Sequence, residues 1–570
     1  MCGIWSLVNL KRKNLDVAKL FQDFYQLKHR GPDSSFLETY GNVYIGFHRL
    51  AIVDSAFSSN QPLVFEDEQR TVIFICNGEI YNYKEIVEER SLDYEDVKGD
   101  CSVIPLVYMD MVRDGHEREF TTFIRDEVKG EYAFVLFEFD KLNNLRKVIA
   151  GRDTVGVRPL YYSPDVGTEG VLFFSSEVKG GLNTCENIQE FPPGGVFTYH
   201  LNELGGVQLT KDIDDSIYDT CEERIRSDAR HLSAVQGAVM NSVRRRLSAD
   251  KPLAFLLSGG VDSSLVAALG AKMLGRPIRT FCCSIRGADG AGVGTDMKYA
   301  RMVAEHIGST HTEVLFTAEE GLAAIPDVIR TIESWDTTSV RASVGQYLVS
   351  KWIGTHTDCK VVFCGEGADE TCSSYLFNWY APSGAALDKC AKEYVKNIYY
   401  YDVKRADRCI SRWGLEGRVP LLDPEFIRAY WTIPAEKRMP TAHEMEKWYL
   451  RAAFEDSGIL PEGVLWRKKE AFSDGVSGEK SWYQIIQEHV EGIVTDEEMA
   501  GAAEKYPYCT PMTKEAYYYR RVFCDIFGEG RQNIIPGFWQ AKWDKDGKEI
   551  TTYTDPSART LKIYSELDTE

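Results

Sequence analysis

The chain has 570 residues, more than one hydrophobic core organises, so two large domains are expected. Its 66 Lys plus Arg against 86 Asp plus Glu give a formal net charge of −20, which argues against non-specific nucleic-acid binding but leaves room for small anions in local basic pockets. No run approaches the ~18 apolar residues of a membrane span. The opening MCGIWSLVNLKRK reverses the apolar and basic order of a secretory signal. The 14 cysteines show neither C-x-x-C nor zinc-like spacing, so a reduced, cytoplasmic protein with mostly buried thiols is expected.

Cys2 is the first candidate. Removal of Met1 would leave a free α-amine beside its thiol. Such an amine has a pKa of about 7.7–8.0 and a free thiol about 8.5, so the amine can take the thiol proton near neutrality. A nucleophile with the N-terminal amine as its base is a known activation scheme. A second-position cysteine alone is more often incidental. Downstream come Arg30-Gly31-Pro32-Asp33 and then Gly46-Phe47-His48-Arg49-Leu50-Ala51-Ile52. A β run over 71–76 follows, with Asn77-Gly78-Glu79-Ile80-Tyr81-Asn82 and later Gly99-Asp100. Asn77-Gly78 alone reads as a hairpin turn. In this order, and with Cys2, the motifs resemble a class II glutamine amidotransferase domain of the N-terminal-nucleophile fold, over about residues 1–200. The resemblance implies layered antiparallel sheets (αββα), which strands at 43–47, 71–76 and 132–138 suit. It implies that Cys2 attacks the glutamine amide and that Asn77 and the Gly78 N–H form an oxyanion hole. Arg49 would pair with the glutamine α-carboxylate, and Glu79 and Asp100 with its α-ammonium. Where the family has Thr or Cys and then Glu after this Asp, the chain has Cys101-Ser102. The stretches 151–153, 156–161 and 175–179 also match, with packing, turns and domain contacts as their expected roles. A Pro-Gly turn at 191–195 closes the domain, and the acidic stretch 211–223 reads as a linker.

The second half alternates strands (253–257, 278–285, 312–316, 360–364) with helices (262–273, 296–307 and on to about 355), the pattern of an open, doubly wound parallel sheet. Ligands bind such sheets at the carboxyl ends of the strands. Three motifs fall there: 258–264 (SGGVDSS), Cys283-Ser284, and 365–370 (GEGADE). The first joins a strand to a helix through glycines, which lets the backbone and the helix N-terminus approach an anion. It lacks the Lys of a Walker A loop and resembles the pyrophosphate loop of ATP pyrophosphatases. Carboxylates facing a triphosphate need a cation between them, so Asp262 and Asp369 are candidates for Mg²⁺. Acidic residues on a loop, taken alone, are more often simply solvated.

These motifs, with 333–336, Arg341, 413–423, 446–451, 466–475, 506–508, 513–517 and 555–557, resemble the glutamine-hydrolysing asparagine synthetases nearly end to end. The resemblance implies a glutaminase domain at 2–210, a linker at 211–225, a synthetase domain at 226–530 and a tail at 531–570. It implies that aspartate and ATP form β-aspartyl-AMP, which ammonia from Cys2 converts to asparagine along a dry path, since ammonium in water is not nucleophilic. Ser258, Gly259, Gly260, Asp262 and Ser263 would bind pyrophosphate. Leu256, Cys283, Cys364 and Gly365 would lie by the nucleotide. Lys447 would stabilise the transferring phosphate, and Glu366 would take a proton from the attacking ammonia. Thr338 and Arg341 would lie around the aspartate. A homodimer through the glutaminase domains is implied as well. The chain departs from the family at Cys364 (Ser), Cys372-Ser373-Ser374 (Phe-Gly-Gly) and Gly417 (Ala), and its insertion 287–295 reads as a loop. Two other readings use the same parts: a synthetase acting on another acid, as β-lactam synthetases do, and a non-catalytic binding paralogue.

Overall fold

The computed structural model describes residues 1–11, 14–53, 59–166, 170–202, 206–220, 227–286, 294–469 and 481–551. Most of the 287–295 insertion, the end of the 466–475 motif and the 555–557 motif lie outside them. Among the described residues no helix is long and apolar enough to cross a membrane. The chain divides into two compact units, one of Met1–Ser216, Ser248–Lys251 and Ser411–Glu416, the other of the remainder.

Among the described residues of the first unit, twelve strands make two antiparallel six-stranded sheets. One holds β1 (Gly3–Asn9), β2 (Ser34–Tyr40), β3 (Val43–Arg49), β8 (Tyr161–Tyr162), β9 (Val171–Ser175) and β10 (Gln189–Glu190), in the order β10-β8-β9-β1-β3-β2. The other holds β4 (Leu63–Glu66), β5 (Arg70–Ile80), β6 (Gly130–Asp140), β7 (Leu145–Arg152), β11 (Gly195–Leu201) and β12 (Val207–Ile213), in the order β12-β11-β7-β6-β5-β4. The period of two along a strand decides what each face meets. Ile73 and Ile75 of β5 join Ile4, Ile45, Val135 and Phe174 in one core between the sheets. Val72, Phe74 and Cys76 of the same strand join a second core with α2 (Tyr83–Arg90), α3 (Val103–Arg113) and α4 (Phe120–Asp126). Helix α1 (Val17–Tyr25) covers the other sheet, with Phe24 stacked 4.0 Å from His48 and edge-on to Trp5 at 6.1 Å. The layers are αββα, as expected. The expected linker at 211–225 starts differently: 211–213 end β12, because Lys211, Asp212 and Ile213 pair with Phe197, Val196 and Gly195. An exposed edge strand tolerates such charged residues, and composition alone cannot tell it from a loop.

The second unit carries a five-stranded sheet, order β15-β14-β13-β16-β17. The strands are β13 (Leu253–Leu256), β14 (Arg279–Ile285), β15 (Thr310–Phe316), β16 (Val361–Phe363) and β17 (Glu416–Arg418). β13 pairs in parallel with β14 and β16, and β14 with β15. Helices α5 (Asp228–Arg246), α6 (Val261–Leu274), α7 (Thr295–Ile307), α8 (Ala318–Ile332) and α9 (Thr337–His356) belong to this unit. The four expected strands and their helices are present, and β17 is an edge strand that its charged EGR sequence hid. β13 lies in the middle, so the turns after β13, β14 and β16 come together at one end of the sheet.

Candidate functional site

Cys2 leads into β1 and lines a small cavity with Arg49, Gly78, Glu79 and Asp100. Its thiol donates to Leu50 O at 3.7 Å and receives the Leu50 N–H at 3.5 Å. Arg30 of the RGPD motif braces it: fully buried, Arg30 donates from Nε to Cys2 O at 3.0 Å and from Nη1 to Glu177 at 2.7 Å. Burial pushes the Cys2 thiol up to about 11, against the pull of the terminal ammonium. Burial also lowers that amine to about 6, against the pull of Glu416, whose Oε2 lies 3.8 Å away. With Met1 in place the amine is Met1's. Loss of Met1 would place the α-amine on Cys2 instead.

Asn77-Gly78 is not a hairpin turn but the interior of β5. Gly78 is required there, since a Cβ would lie 2.4 Å from Glu131 O on the neighbouring strand. The Asn77 amide is wholly buried, and neither its Oδ1 nor its Nδ2 has a hydrogen-bond partner. Buried amides are nearly always paired, and Asn77 is an exception beside the Cys2 cavity, whose lining includes its neighbours Cys76 and Gly78 but not Asn77 itself. Asp100 Oδ2 accepts the Ile80 N–H at 2.6 Å, and burial raises its carboxyl to about 6.

The second site is a cleft of about 1220 Å³ at the carboxyl ends of β13, β14 and β16. Among the expected residues Leu256, Ser258, Gly260, Asp262, Ser263, Cys283, Cys364, Gly365, Glu366, Asp369 and Lys447 line it. Gly259 shapes the turn instead: its φ is +77°, and a Cβ would lie 2.5 Å from Tyr299. The turn is cross-braced, with Ser258 N donating to Ser263 Oγ at 3.1 Å. It delivers Gly260 as the N-cap of α6, where N–H groups and the helix dipole favour an anion. Lys447 bridges Asp262 and Asp369, the latter at 2.5 Å, and Lys469 holds the other oxygen of Asp369. Burial pulls the Lys447 ammonium down, but the two carboxylates outweigh it and hold it above the ordinary lysine range. Burial raises Asp369, yet Lys447 and Lys469 bring it far below the usual carboxylate value. Asp262 Oδ1 is buried without a partner. Glu366 Oε1 accepts from Gln346 at 2.9 Å and Arg405 at 3.4 Å, while its Oε2 is buried and unpartnered.

Thr338 and Arg341 are not among the residues lining this cleft. Arg341 forks onto Glu515 at 3.1 and 2.7 Å and lies 4.9 Å over the Tyr483 ring. On α9 the cleft is lined by Gln346 and Val349. Arg341 precedes Gln346 by five residues, about 140° round the helix, and faces elsewhere. Thr338 shares the Val349 side but sits roughly 16 Å away along the axis. Sequence reasoning missed Gln346 and Arg405, and it gave Lys469, Arg30 and Glu177 no role in either site. Lys469 had a signal, since 467–469 is a basic triplet in an acidic chain.

Comparison with known proteins bears on both sites. The glutamine amidotransferase domain family matches residues 1–210. The asparagine synthase family matches 234–388 and 381–546. Asparagine synthetase [glutamine-hydrolyzing] of Gallus gallus is 38% identical, and that of Homo sapiens 39%, each over 99% of both chains. The chain belongs to the glutamine-hydrolysing asparagine synthetase family. The positions read as departures from the family pattern at 364 and 372–374 lie as follows. The Cys364 thiol, 1% exposed, donates to Arg418 O at 3.6 Å. Cys372 is buried. Ser373 stands at φ +54°, the conformation in which glycine is at ease. The Ser374 hydroxyl donates to Asp369 Oδ1.

Proposed function

We propose that the protein makes asparagine from aspartate, ATP and glutamine in two half-reactions. The observation that supports this most is the meeting, in one cleft, of an anion-binding turn, the ammonium of Lys447 and a carboxylate, Glu366, with one oxygen unengaged. In the first half-reaction the Cys2 thiol gives its proton to the α-amine freed by loss of Met1, and the sulfur attacks the side-chain amide of glutamine. Asn77 Nδ2 and the Gly78 N–H take the charge that develops on the carbonyl oxygen. Arg49 pairs with the α-carboxylate of glutamine, and Glu79 and Asp100 with its α-ammonium. Ammonia leaves, and water releases glutamate from the thioester.

In the second half-reaction the β-carboxylate of aspartate attacks the α-phosphorus of ATP, and pyrophosphate departs into the Ser258–Ser263 turn. Lys447 exchanges a carboxylate for a phosphate oxygen as negative charge shifts to the leaving group. Leu256 and Cys283 flank the nucleoside. Ammonia then attacks the β-carbonyl of the aspartyl adenylate, AMP leaves, and Glu366 Oε2 takes the surplus proton. Arg341 is committed to Glu515, so Arg405, whose Nε is unpartnered, is our candidate for the α-carboxylate of aspartate. Mg²⁺ fits at Asp262, whose free Oδ1 suits a cation held by one carboxylate and phosphate oxygens. Asp369 fits it less well, because both its oxygens carry lysines. When bound, the ion would offset charge on the pyrophosphate.

The test is to incubate the protein with ATP, Mg²⁺ and aspartate, adding glutamine or ammonium, and to quantify asparagine and AMP. Asparagine from both sources is expected. AMP with another acid but not with aspartate would move the chemistry to that acid, and no AMP with any acid would leave a binding role.

A further inference from the structure

The turn that follows the 365–370 loop carries a contact made by a side chain the family resemblance would replace with glycine. Ser374 is fully buried, and its backbone N–H donates to Asp369 O at 3.0 Å, so the residue is fixed relative to the loop. Its hydroxyl reaches Asp369 Oδ1, the oxygen that also takes Lys447 at 2.5 Å. Asp369 Oδ2 takes Lys469, whose ammonium also lies 4.9 Å over the Tyr375 ring. A carboxylate torsion is broad and two-fold, and the two lysines are point charges on flexible stems. Among the described donors to this carboxylate, Ser374 is the one whose own backbone N–H is also bonded to Asp369.

We propose that Ser374 is a positioning residue of the phosphate end of the cleft: its hydroxyl selects the orientation of the Asp369 carboxylate and, through it, the places of the Lys447 and Lys469 ammoniums. The assignment rests on reading the cleft as a nucleotide site. With glycine at this position the carboxylate would be oriented by the lysines alone. With serine, the two ammoniums stand in place before any phosphate arrives, which favours a ligand bearing a pyrophosphate group over one lacking it.

The experiment compares Ser374→Ala and Ser374→Gly with the parent by titration calorimetry in Mg²⁺, using inorganic pyrophosphate and, separately, AMP as probes. Both variants are expected to weaken pyrophosphate about five- to tenfold, the effect of losing one hydrogen bond, and to leave AMP affinity within about twofold. Pyrophosphate affinity unchanged in both variants would overturn the proposal. So would a parallel fall for AMP, which would mean that the turn as a whole had been disturbed. Asparagine formation by the parent is assayed alongside. If the parent makes no asparagine but the pyrophosphate contrast holds, Ser374 keeps its role and the acceptor assignment fails. A parent that binds neither probe overturns the nucleotide reading and this proposal with it.

Discussion

Asn77 is a buried amide with nothing to bond to, on a strand whose neighbours are packed on both faces. Folding has already met the cost of burying it, so Asn77→Ala should leave stability within about 1 kcal/mol of the parent, the lost cavity filling offset by the removal of two unpaired polar atoms. Glutamine hydrolysis should fall about 10²- to 10³-fold in kcat with little change in KM, the mark of a group used in the transition state. Steady-state glutaminase kinetics beside thermal melts read both. Asp100 gives a pH test. Burial raises its carboxyl to about 6, so it is protonated below that pH and then offers no charge to an ammonium. The acid limb of kcat/KM for glutamine should fall about tenfold per unit below about pH 6. Asp100→Asn should bind glutamine weakly at every pH and lack this limb, and a limb that persists would belong to another group. The same shift has a stability sign. An acid raised from its ordinary value to about 6 stabilises the fold fully below the unfolded value, and that contribution is lost as the pH rises through about 6.

At the scale of the element, the turn 372–375 shows how a departure from pattern is absorbed. Ser373 holds φ +54° with its hydroxyl buried and unpartnered. A left-handed non-glycine residue costs about 1–2 kcal/mol, and glycine returns part of that as unfolded-chain entropy. Ser373→Gly should therefore stabilise the second unit by about 0.5–1 kcal/mol, seen as a higher melting temperature. The strands of both units were legible because their apolar residues alternate or run continuously between turn signals. Helix α9 was legible as a helix but not in its phase. Val340, Arg341, Val344, Gln346, Val349 and Ile353 are all buried, so no amphipathic stripe says which side meets the cleft. In β5 strand pairing runs through Asn77-Gly78, whose local turn signal the surrounding motifs had already outweighed.

At the scale of the whole molecule, the candidate residues fall into two sets, one in each unit. Cys2→Ala should abolish asparagine formation from glutamine and spare formation from ammonium, and loss of both would sink the two-site scheme. The motifs were legible because their residues are contiguous, as in 258–263 and 77–79. What stayed hidden was contact between distant residues. Arg405 meets Glu366 across 39 positions, and Arg30 meets Glu177 across 147, and neither partner carries a local sign of the other. Such pairs exist only once the sheets have assembled.

Asp262, Asp369, Lys447 and Lys469 sum to zero formal charge, within a chain of net charge −20. The cleft therefore has no long reach toward an anion, and the acidic exterior repels one. On the proposed reading, capture takes place at contact range, as a change of partners in which each ammonium releases a carboxylate for a phosphate. Moderate salt, which ordinarily slows the meeting of protein and charged ligand, here screens a repulsion and speeds the encounter.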